Sequence, residues 1–403
     1  MRFSHVCAAA AFVLLAAGCA TRPPEAPPAA PPAAAARPSL PATYRAAEWS
    51  ALPGWSSDRV EEAWPAFRVG CAALVKPDAA TRAVWESPCA AAATVDDRDA
   101  DAIRAFFERH FSPYQVIAAD GRDSGTITGY YEPLLAGSTT KTERYTVPLY
   151  AAPDDLLTID LVALYPELKD KRLRGRVDGR KVVPYWSRAE IESGKAPVAD
   201  KVLVYVEDPV AAFFLEIQGS GRVALADGSI LRVGYADQNG HPYRSIARVL
   251  IDRGEITADR ASMHGIREWG RRHPDALPAL LDENPSYVFF RVVPAPATGT
   301  LEARIDGPIG SLGVPLAAGR TLAVDARSIA LGTPVFLATT SPSSTTKLER
   351  LMLAQDTGGA IRGALRADFF WGFGDGAGRE AGRMKQDGRM WILWPRDAGP
   401  PKP

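Results

Sequence analysis

The spacing of hydrophobic and polar residues changes along the chain, and the changes predict a succession of helices and strands. Residues 96–111 open with acidic residues and place Ile103, Phe106 and Phe107 near helical spacing, which predicts a helix. Similar patterns, followed by a glycine or a proline, predict two further helices: about Arg244–Arg253, ended by Gly254, and about Asp259–Arg272, ending before Pro274.

Short runs rich in β-branched and aromatic residues predict strands between Gly- and Pro-rich turns. A tight loop is expected at Gly219-Ser220-Gly221. The regular spacing of the later runs favours a β-barrel or sandwich in the C-terminal part of the chain. The predicted strands are Thr126–Tyr131, Val202–Val206, Phe213–Ile217, Ile230–Val233, Val288–Val293, Thr321–Val324, Pro334–Ala338, Leu348–Ala354, Asp368–Trp371 and Met390–Leu393.

The N-terminal segment has the composition of a targeting signal followed by a tether. Arg2 precedes an apolar run, Val6–Ala17, that is too short for a comfortable membrane span and is typical of a secretory signal peptide. The run ends in Gly18-Cys19, which resembles a lipobox, so Cys19 is the expected lipidation site. An ordinary cleaved signal with an incidental cysteine is the alternative. Residues 20–45 are rich in Pro and Ala and predict a semi-rigid tether, with order beginning near Trp49.

Composition narrows the class of protein. The 403 residues indicate roughly two domains, and the balance of 47 basic and 47 acidic residues gives no support to nucleic-acid binding. In an exported chain, Cys71 and Cys89 are expected to form a disulfide, with two free buried thiols as the alternative. The five histidines form no cluster with cysteine at ligand spacing, so we expect no metal site and no cofactor.

Two aspartates flank a glycine-rich segment near the C-terminus. Asp356 precedes Gly358, Gly359 and Gly363, and Asp368 follows them. A loop of this kind can bring two carboxylates to one end of a barrel, where repulsion and burial raise one pKa towards the range that acid catalysis requires. The alternative is that both aspartates only accept turn or cap hydrogen bonds.

Seven motifs in a fixed order resemble the lytic murein transglycosylase A family, with its C-terminal three-aspartate (3D) domain. The resemblance spans roughly Trp49 to Pro395. The motifs are Thr128–Pro133, Gln218–Gly221, Val233–Tyr235 with Asn239–Ile246, Asn284–Phe290, Ala323–Asp325 with Leu331–Phe336, the loop at Asp356, and Asp368–Gly372.

The resemblance implies a mainly β fold with some helices. It implies a double-psi β-barrel catalytic domain, residues 46–132 plus 285–396, that carries an inserted β-domain, residues 133–284. Substrate is expected in the groove between the two domains. Residues 1–19 would be the lipoprotein signal and residues 20–45 the tether.

The resemblance also implies a reaction that needs one carboxylate. Asp368 matches the catalytic position; it would protonate the leaving oxygen and then take the proton of the sugar's own 6-hydroxyl as a 1,6-anhydro ring closes. Asp356 is expected to tune or orient it, and Asp325, the third aspartate of the domain, to hold loops. Arg362 is a supporting candidate for positioning a carboxylate.

Substrate contacts are expected at three places. Tyr130 and Tyr131 are candidates for the groove wall, with core packing as the alternative. Trp371 is a candidate for stacking on a sugar, with the same alternative. The other candidates are residues that could hydrogen-bond sugar hydroxyls or let the backbone approach a ligand: Thr128, Glu132, Gln218, Ser220 and Gly221.

Two other functions remain open at this stage. One is a hydrolase of the same glycan that uses Asp356 as the base for a water, and the other is a non-catalytic lipoprotein that binds peptidoglycan. An acyl-transfer enzyme lacks support because no G-x-S-x-G motif occurs. The expected location is the periplasmic face of the outer membrane, through the lipid anchor. The expected partners are peptidoglycan glycan strands and other wall-synthesis proteins.

Overall fold

The computed structural model describes residues 42–168, 171 and 173–402, and within them the fold is mainly β with some helices, as predicted. The strands are β1 Thr43–Ala46, β2 Phe111–Ile117, β3 Gly125–Glu132, β4 Leu134–Ser138, β5 Val147–Tyr150, β6 Leu157–Thr158, β7 Arg174–Asp178, β8 Lys181–Pro184, β9 Val202–Val206, β10 Ser220–Ala224, β11 Ile230–Gln238, β12 Val288–Val292, β13 Thr321–Val324, β14 Pro334–Thr340, β15 Lys347–Asp356, β16 Ala367–Phe373 and β17 Lys385–Pro395. The α-helices are α1 Trp64–Leu74, α2 Arg82–Ala92, α3 Ala100–His110, α4 Arg188–Glu192, α5 Pro209–Gln218, α6 Ile246–Asp252, α7 Met263–Arg272, α8 Leu277–Asp282 and α9 Gly374–Arg383.

Six strands close into a barrel. The order β17-β14-β15-β13-β16-β3 returns to β17 because β17 also pairs with β3, and β2 and β1 extend the sheet outside this ring. Two neighbouring pairs, β13 with β15 and β16 with β3, are parallel. The predicted barrel in a mainly β fold is therefore confirmed.

The barrel interior is filled by alternate residues of its strands. Leu322, Val335, Met352 and Phe369, each at most 1% exposed, belong to one apolar cluster inside the ring. A second cluster packs helices α1–α3 on the outside of the barrel, around Trp64 and other buried aromatic rings. Burial on both sides of the ring explains why these strands are rich in large apolar residues.

Cysteine pairing joins two of the outer helices. Cys71 in α1 and Cys89 in α2 form a disulfide with Cα atoms 5.5 Å apart. Both residues are buried in the apolar cluster on the outside of the barrel, so the disulfide stabilises the layer of helices that covers this side of the barrel.

A second sheet is built from the chain between β3 and β13. Its order is β12-β11-β10-β4-β9-β5, and helices α5–α8 form an apolar cluster with one another. A separate three-stranded sheet, β6-β7-β8, is formed by residues between β5 and β9. The barrel strands thus come from both sides of a long intervening segment, while the exact domain boundaries stay a prediction.

Most predicted strands agree with the structure, but the strand predicted at Phe213–Ile217 is wrong. These residues lie in helix α5, which begins at Pro209 after the N-cap Asp208 and ends at Gln218, before the C-cap Gly219 with φ +78°. A short apolar run does not distinguish a strand from a buried helix, whereas the capping residues here favour the helix. Gly219 ends this helix, and Ser220 and Gly221 begin strand β10 rather than forming a loop.

Two other elements were not predicted. Strand β1 covers Thr43–Ala46, so regular structure is present before Trp49 and inside the predicted tether. Helix α9 has four glycines, a composition that disfavours a helix in isolation. Packing explains it, because a Cβ on Gly378 would lie 2.8 Å from the ring of Tyr131. The glycine therefore permits the close approach that holds the helix on the barrel.

Gly221, a candidate for letting the backbone approach a ligand, has a packing role in the structure. A Cβ at this position would lie 2.3 Å from Leu215 Cδ1 and 3.1 Å from the carbonyl oxygen of Pro133. Leu215 is fully buried and cannot move aside freely. We expect Gly221→Ala to lower the free energy of unfolding by about 1–3 kcal/mol, measured by chemical denaturation. Gly382→Ala in α9, where a Cβ meets nothing within 4 Å, is the matched control, and an equal effect of both changes would contradict this role.

Candidate active site

The candidate residues of the barrel lie in one row that crosses adjacent strands. Asp368 of β16 pairs with Ala323 of β13 on one side and with Thr128 of β3 on the other. Ala323 in turn pairs with Asp356 at the end of β15. With strands about 4.8 Å apart, the backbones of the two aspartates are about 10 Å apart, close enough for their carboxylates to interact. The structure thus brings together residues that are separated by up to 240 positions in sequence.

Asp368 is held by donors from two neighbours. The Thr128 hydroxyl donates to Asp368 Oδ1, and Arg366 Nη2 donates to Thr128 Oγ1 at 2.6 Å. Arg366 Nη1 lies 3.9 Å from Asp368 Oδ1, and the aspartate side chain is 20% exposed. Burial raises the pKa of Asp368 above its ordinary value, the contacts with Thr128 and Arg366 lower it, and the charge of Asp356 raises it. The result is a partly accessible carboxyl group that holds its proton to a higher pH than an ordinary aspartate.

Asp356 has donors on both carboxylate oxygens. Ser311 donates its amide at 3.0 Å and its hydroxyl at 2.9 Å to Oδ1, and the Tyr130 hydroxyl donates at 3.1 Å to Oδ2. Burial nevertheless raises the pKa of Asp356. Tyr130 packs against Phe370 with ring centroids 5.1 Å apart, so it connects Asp356 to the strand of Asp368.

Tyr131 and Gln218 meet where the barrel strand β3 reaches the inserted sheet. The Tyr131 amide donates to Gln218 Oε1 at 3.2 Å, and the Tyr131 hydroxyl lies 3.8 Å from Met263 Sδ of helix α7. The hydrogen bond to the Tyr131 backbone gives Gln218 a structural role that needs no ligand. The Tyr131 side chain extends from barrel strand β3 to helix α7 of the inserted part.

Trp371 does not lie beside the Asp368 carboxylate. Its ring contacts Phe369 at a centroid distance of 4.7 Å, and its indole N–H points to Met384 Sδ at 3.3 Å. Successive side chains of a strand point to opposite faces, so Trp371 shares the face of Phe369, which points into the barrel core, and not that of Asp368. This placement supports the packing alternative over sugar stacking.

Glu132 was predicted to bind sugar hydroxyls, but its carboxylate is engaged elsewhere. It is 1% exposed and accepts a hydrogen bond of 2.8 Å from Arg222, which also donates to Asp306 at 2.7 Å. Loss of Arg222 would leave a buried carboxylate without a compensating charge and would strongly destabilise the fold, so the pair has a structural role. Ser220 lies at the start of β10 opposite Gly234.

The two supporting candidates differ in placement. Asp325 is buried and accepts hydrogen bonds from Arg327 Nη2 and the Gly363 amide, each at 2.7 Å. Although burial raises it, these bonds hold the pKa of Asp325 below its ordinary value, and they fix the glycine-rich loop to the end of β13. Arg362 is exposed, and within the described residues it makes no hydrogen bond or ion pair with either Asp356 or Asp368.

Three residues of the site were not predicted. Arg366 supplies the positive charge that had been expected of Arg362, and its position two residues before Asp368 was the available signal. Ser311 lies 45 residues before its partner in a loop, and no local pattern marks it. Lys385 is exposed and pairs in register with Thr128 on the far side of the row, which places a cation beside the site.

A cavity of about 360 Å³ lies in the inserted part of the chain and not at the aspartates. Arg188, Glu216 and Tyr287 line it together with apolar side chains, and none of the predicted site residues does. In the stretches the structure describes, no group of three or more His, Cys, Asp or Glu side chains is arranged to hold a metal ion. The candidate site therefore rests on the row of Asp356, Asp368 and Thr128.

Cys19, the predicted lipidation site, falls outside the described residues. Among the helices that are described, none has both the length and the apolar character needed to cross a membrane.

Comparisons with known proteins agree with the motifs and the fold. Residues 126–291 match the family described as the MltA specific insert domain, and residues 320–394 match the 3D domain. The membrane-bound lytic murein transglycosylase A of Escherichia coli (strain K12) is 34% identical over 289 residues, which are 70% of this chain and 68% of that protein.

Solved structures extend the similarity to most of the fold. The monoclinic crystal form of MltA from Neisseria gonorrhoeae has a TM-score of 0.78 at 38% identity, over 90% of this chain and 95% of that one. E. coli MltA with bound chitohexaose has a TM-score of 0.55 at 31% identity, over 75% and 79% of the two chains. The motifs, the barrel and these matches together show that the chain belongs to the membrane-bound lytic murein transglycosylase A family.

Proposed function

We propose that this protein is a peptidoglycan lytic transglycosylase that cleaves the bond between N-acetylmuramic acid and N-acetylglucosamine with Asp368 as its single acid and base. The observation that carries the proposal is the environment of Asp368: a partly exposed carboxyl group with a raised pKa, beside Thr128 and Arg366. The relative with chitohexaose bound supports a glycan as substrate.

The raised pKa suits the first step. Protonation of the glycosidic oxygen requires a carboxylic acid that keeps its proton near neutral pH. Burial raises the pKa of Asp368, and the negative charge of Asp356 raises it further. Thr128 and Arg366 stabilise the carboxylate that remains once the proton has been given to the leaving sugar, so the same group then serves as a base.

The second step needs no activated water. The carboxylate of Asp368 takes the proton of the 6-hydroxyl of N-acetylmuramic acid, and that oxygen attacks the anomeric carbon of its own sugar. A nucleophile held in the same molecule has a high effective concentration, which replaces the positioning of a water by the protein. The products are an anhydromuramic end and a free 4-hydroxyl, with no net uptake of water.

The hydrolase alternative would require Asp356 to act as a base. Its Oδ1 accepts two hydrogen bonds from Ser311 and its Oδ2 one from Tyr130, and burial raises its pKa. These three hydrogen bonds use most of the roughly four acceptor sites of a carboxylate, which leaves Asp356 little capacity to orient and deprotonate a water. This geometry favours a role for Asp356 in fixing Tyr130 and in tuning the pKa of Asp368.

Product masses test the proposed function. The chain from Ala20 to Pro403 is incubated with purified murein sacculi, and the soluble muropeptides are analysed by mass spectrometry. We expect species lighter by one water than the corresponding reducing muropeptides. Reducing ends would indicate the hydrolase, and tight binding to sacculi without release would indicate a non-catalytic protein.

The pH dependence of cleavage should follow the charge beside Asp368. Because the first step needs the protonated acid, kcat/KM falls as the pH rises through the pKa of Asp368. Arg366→Gln removes a cation that lowers this pKa, so the pKa rises and the alkaline limb of the profile moves to higher pH. Arg366→Lys, which keeps the charge, is the control. A limb that stays in place or moves to lower pH in the Gln variant would contradict the assignment.

The same family assignment supports a proposal for location. We propose that Cys19 carries the lipid that anchors the mature chain to the periplasmic face of the outer membrane. The tether predicted at residues 20–45 would then end before Ala42, which is buried in the core. Two acyl groups or more are needed for stable anchoring, as multiple acylation of one cysteine would supply. Cell-wall turnover, with contacts to other wall-synthesis proteins, is the corresponding role.

A further inference from the structure

The part of the chain that forms the sheet β6-β7-β8, together with the connection between β6 and β7, exposes an unusual amount of apolar surface. Of the thirteen large hydrophobic side chains that are exposed in the described residues, five lie between Leu161 and Val182. They include Leu164 and Val177, which are 76% and 62% exposed, the two highest values of the set. Single exposed apolar residues are common, but a concentration in one small element indicates a contact surface.

The apolar residues of the hairpin β7–β8 share one face. Val177 and Val182 are directly opposite in the antiparallel register, and both are more than half exposed. A Cβ on Gly175 would lie 2.9 Å from Ile159 and 3.0 Å from Val182, so these side chains lie over the same face. The other face is anchored to the protein, because Arg174 pairs with Asp237 at 2.9 Å and Arg176 stacks over Trp186 at 3.8 Å. The valine face is therefore turned away from the fold.

The sequence of the hairpin and of the residues just before it is rich in positive charge. Residues 169–181 contain seven Lys or Arg and two Asp in the sequence. Arg180 and Lys181 at the tip of the hairpin are exposed and form no ion pair with any described carboxylate. Apolar side chains next to uncompensated cations are the features of a surface that inserts shallowly among anionic lipid head groups.

We propose that the tip of the β7–β8 hairpin, with Val177, Arg180, Lys181 and Val182, docks on an anionic phospholipid bilayer. The valines would enter the region below the head groups while the cations contact lipid phosphates. A second copy of the chain is a poorer occupant, because it would bring the same positive charge to the contact. Peptidoglycan carboxylates would satisfy the cations but would leave the valines in water.

Vesicle binding tests this contact without the anchor. The chain from Ala20 to Pro403 contains every described residue and carries no lipid. Its co-sedimentation is measured with phosphatidylcholine vesicles that contain or lack phosphatidylglycerol. We expect binding only to the anionic vesicles, weakened by salt because the attraction is partly electrostatic. Equal binding to both kinds of vesicle, or binding to neither, would overturn the proposal.

Two variants separate the apolar and the charged parts. Val177→Ser/Val182→Ser and Arg180→Gln/Lys181→Gln should each weaken binding to anionic vesicles by about tenfold or more. Ile230→Ser and Arg98→Gln/Arg109→Gln change exposed residues elsewhere and should bind like the parent. Cleavage of sacculi in solution should be unchanged in all four, which also shows that they are folded. The proposal would be overturned if both hairpin variants bound vesicles like the parent. It would also be overturned if the chain formed a dimer without lipid and Val177→Ser/Val182→Ser abolished that dimer, or if the variants lost binding to sacculi but not to vesicles.

Discussion

Asp368→Asn is expected to reduce kcat for sacculus cleavage by about 1,000-fold or more while leaving substrate binding in place. The asparagine amide can neither give a proton to the leaving sugar nor take one from the 6-hydroxyl, so both steps lose their catalyst. Thr128 can still donate its hydroxyl to the amide oxygen, which preserves the local hydrogen bond. Release of soluble muropeptides measures the loss, and co-sedimentation with sacculi measures the retained binding.

Stability provides the control for that variant. The folded-state pKa of Asp368 is raised, so ionisation of this group at neutral pH favours the unfolded chain. Removing the charge should therefore leave Tm unchanged or raise it slightly at neutral pH. Substantial residual cleavage by a folded Asp368→Asn protein would show that Asp368 is not the catalytic acid and base.

Arg222→Ala is expected to lower the free energy of unfolding by about 3–5 kcal/mol. The change leaves Glu132, which is 1% exposed, without the guanidinium that compensates its buried charge. Glu132 is the last residue of barrel strand β3, whereas Arg222 lies in β10 of the inserted sheet. Loss of the pair therefore weakens the junction between the two sheets, and chemical denaturation with a tryptophan signal should detect it.

Two further variants make the Arg222 result specific. Glu132→Leu/Arg222→Met removes both charges and should recover much of the lost stability, because no buried charge stays uncompensated. Arg248→Ala breaks an exposed pair with Asp252, whose side chains are 72% and 57% exposed, and should cost less than about 1 kcal/mol. An Arg222→Ala protein as stable as Arg248→Ala would contradict the structural role of the pair.

The barrel could be predicted because its strands carry local signals. Residues 321–324 and 334–338 are apolar runs between Gly- and Pro-rich turns, and the structure has strands at both places. The motif order also led to Asp368, Asp356 and Thr128, which lie in one row across the strands. Such strands can be predicted from their side-chain pattern alone, because the pleat directs successive side chains to opposite faces of the sheet.

The features that could not be predicted are those that distant packing decides. Helix α9 forms despite its glycines because Tyr131 packs on Gly378, a contact across more than two hundred residues that no local window contains. The contact of Glu132 with Arg222 could not be predicted either, because the two residues are 90 positions apart. Trp371 was placed beside the substrate on proximity in sequence to Asp368, although the alternation of a strand already directs it to the opposite face.

The central claim is that Asp368 alone serves as acid and base. The most direct test is to measure cleavage of sacculi by Asp356→Asn in water labelled with heavy oxygen. The variant keeps Asp368 with Thr128 and Arg366 and removes the carboxylate that the hydrolase alternative needs as its base. The account predicts continued release of anhydromuramic products without heavy oxygen, at a rate reduced by about tenfold or less as the pKa of Asp368 falls. Loss of turnover as complete as in Asp368→Asn, or heavy oxygen in reducing ends released by the parent protein, would contradict it.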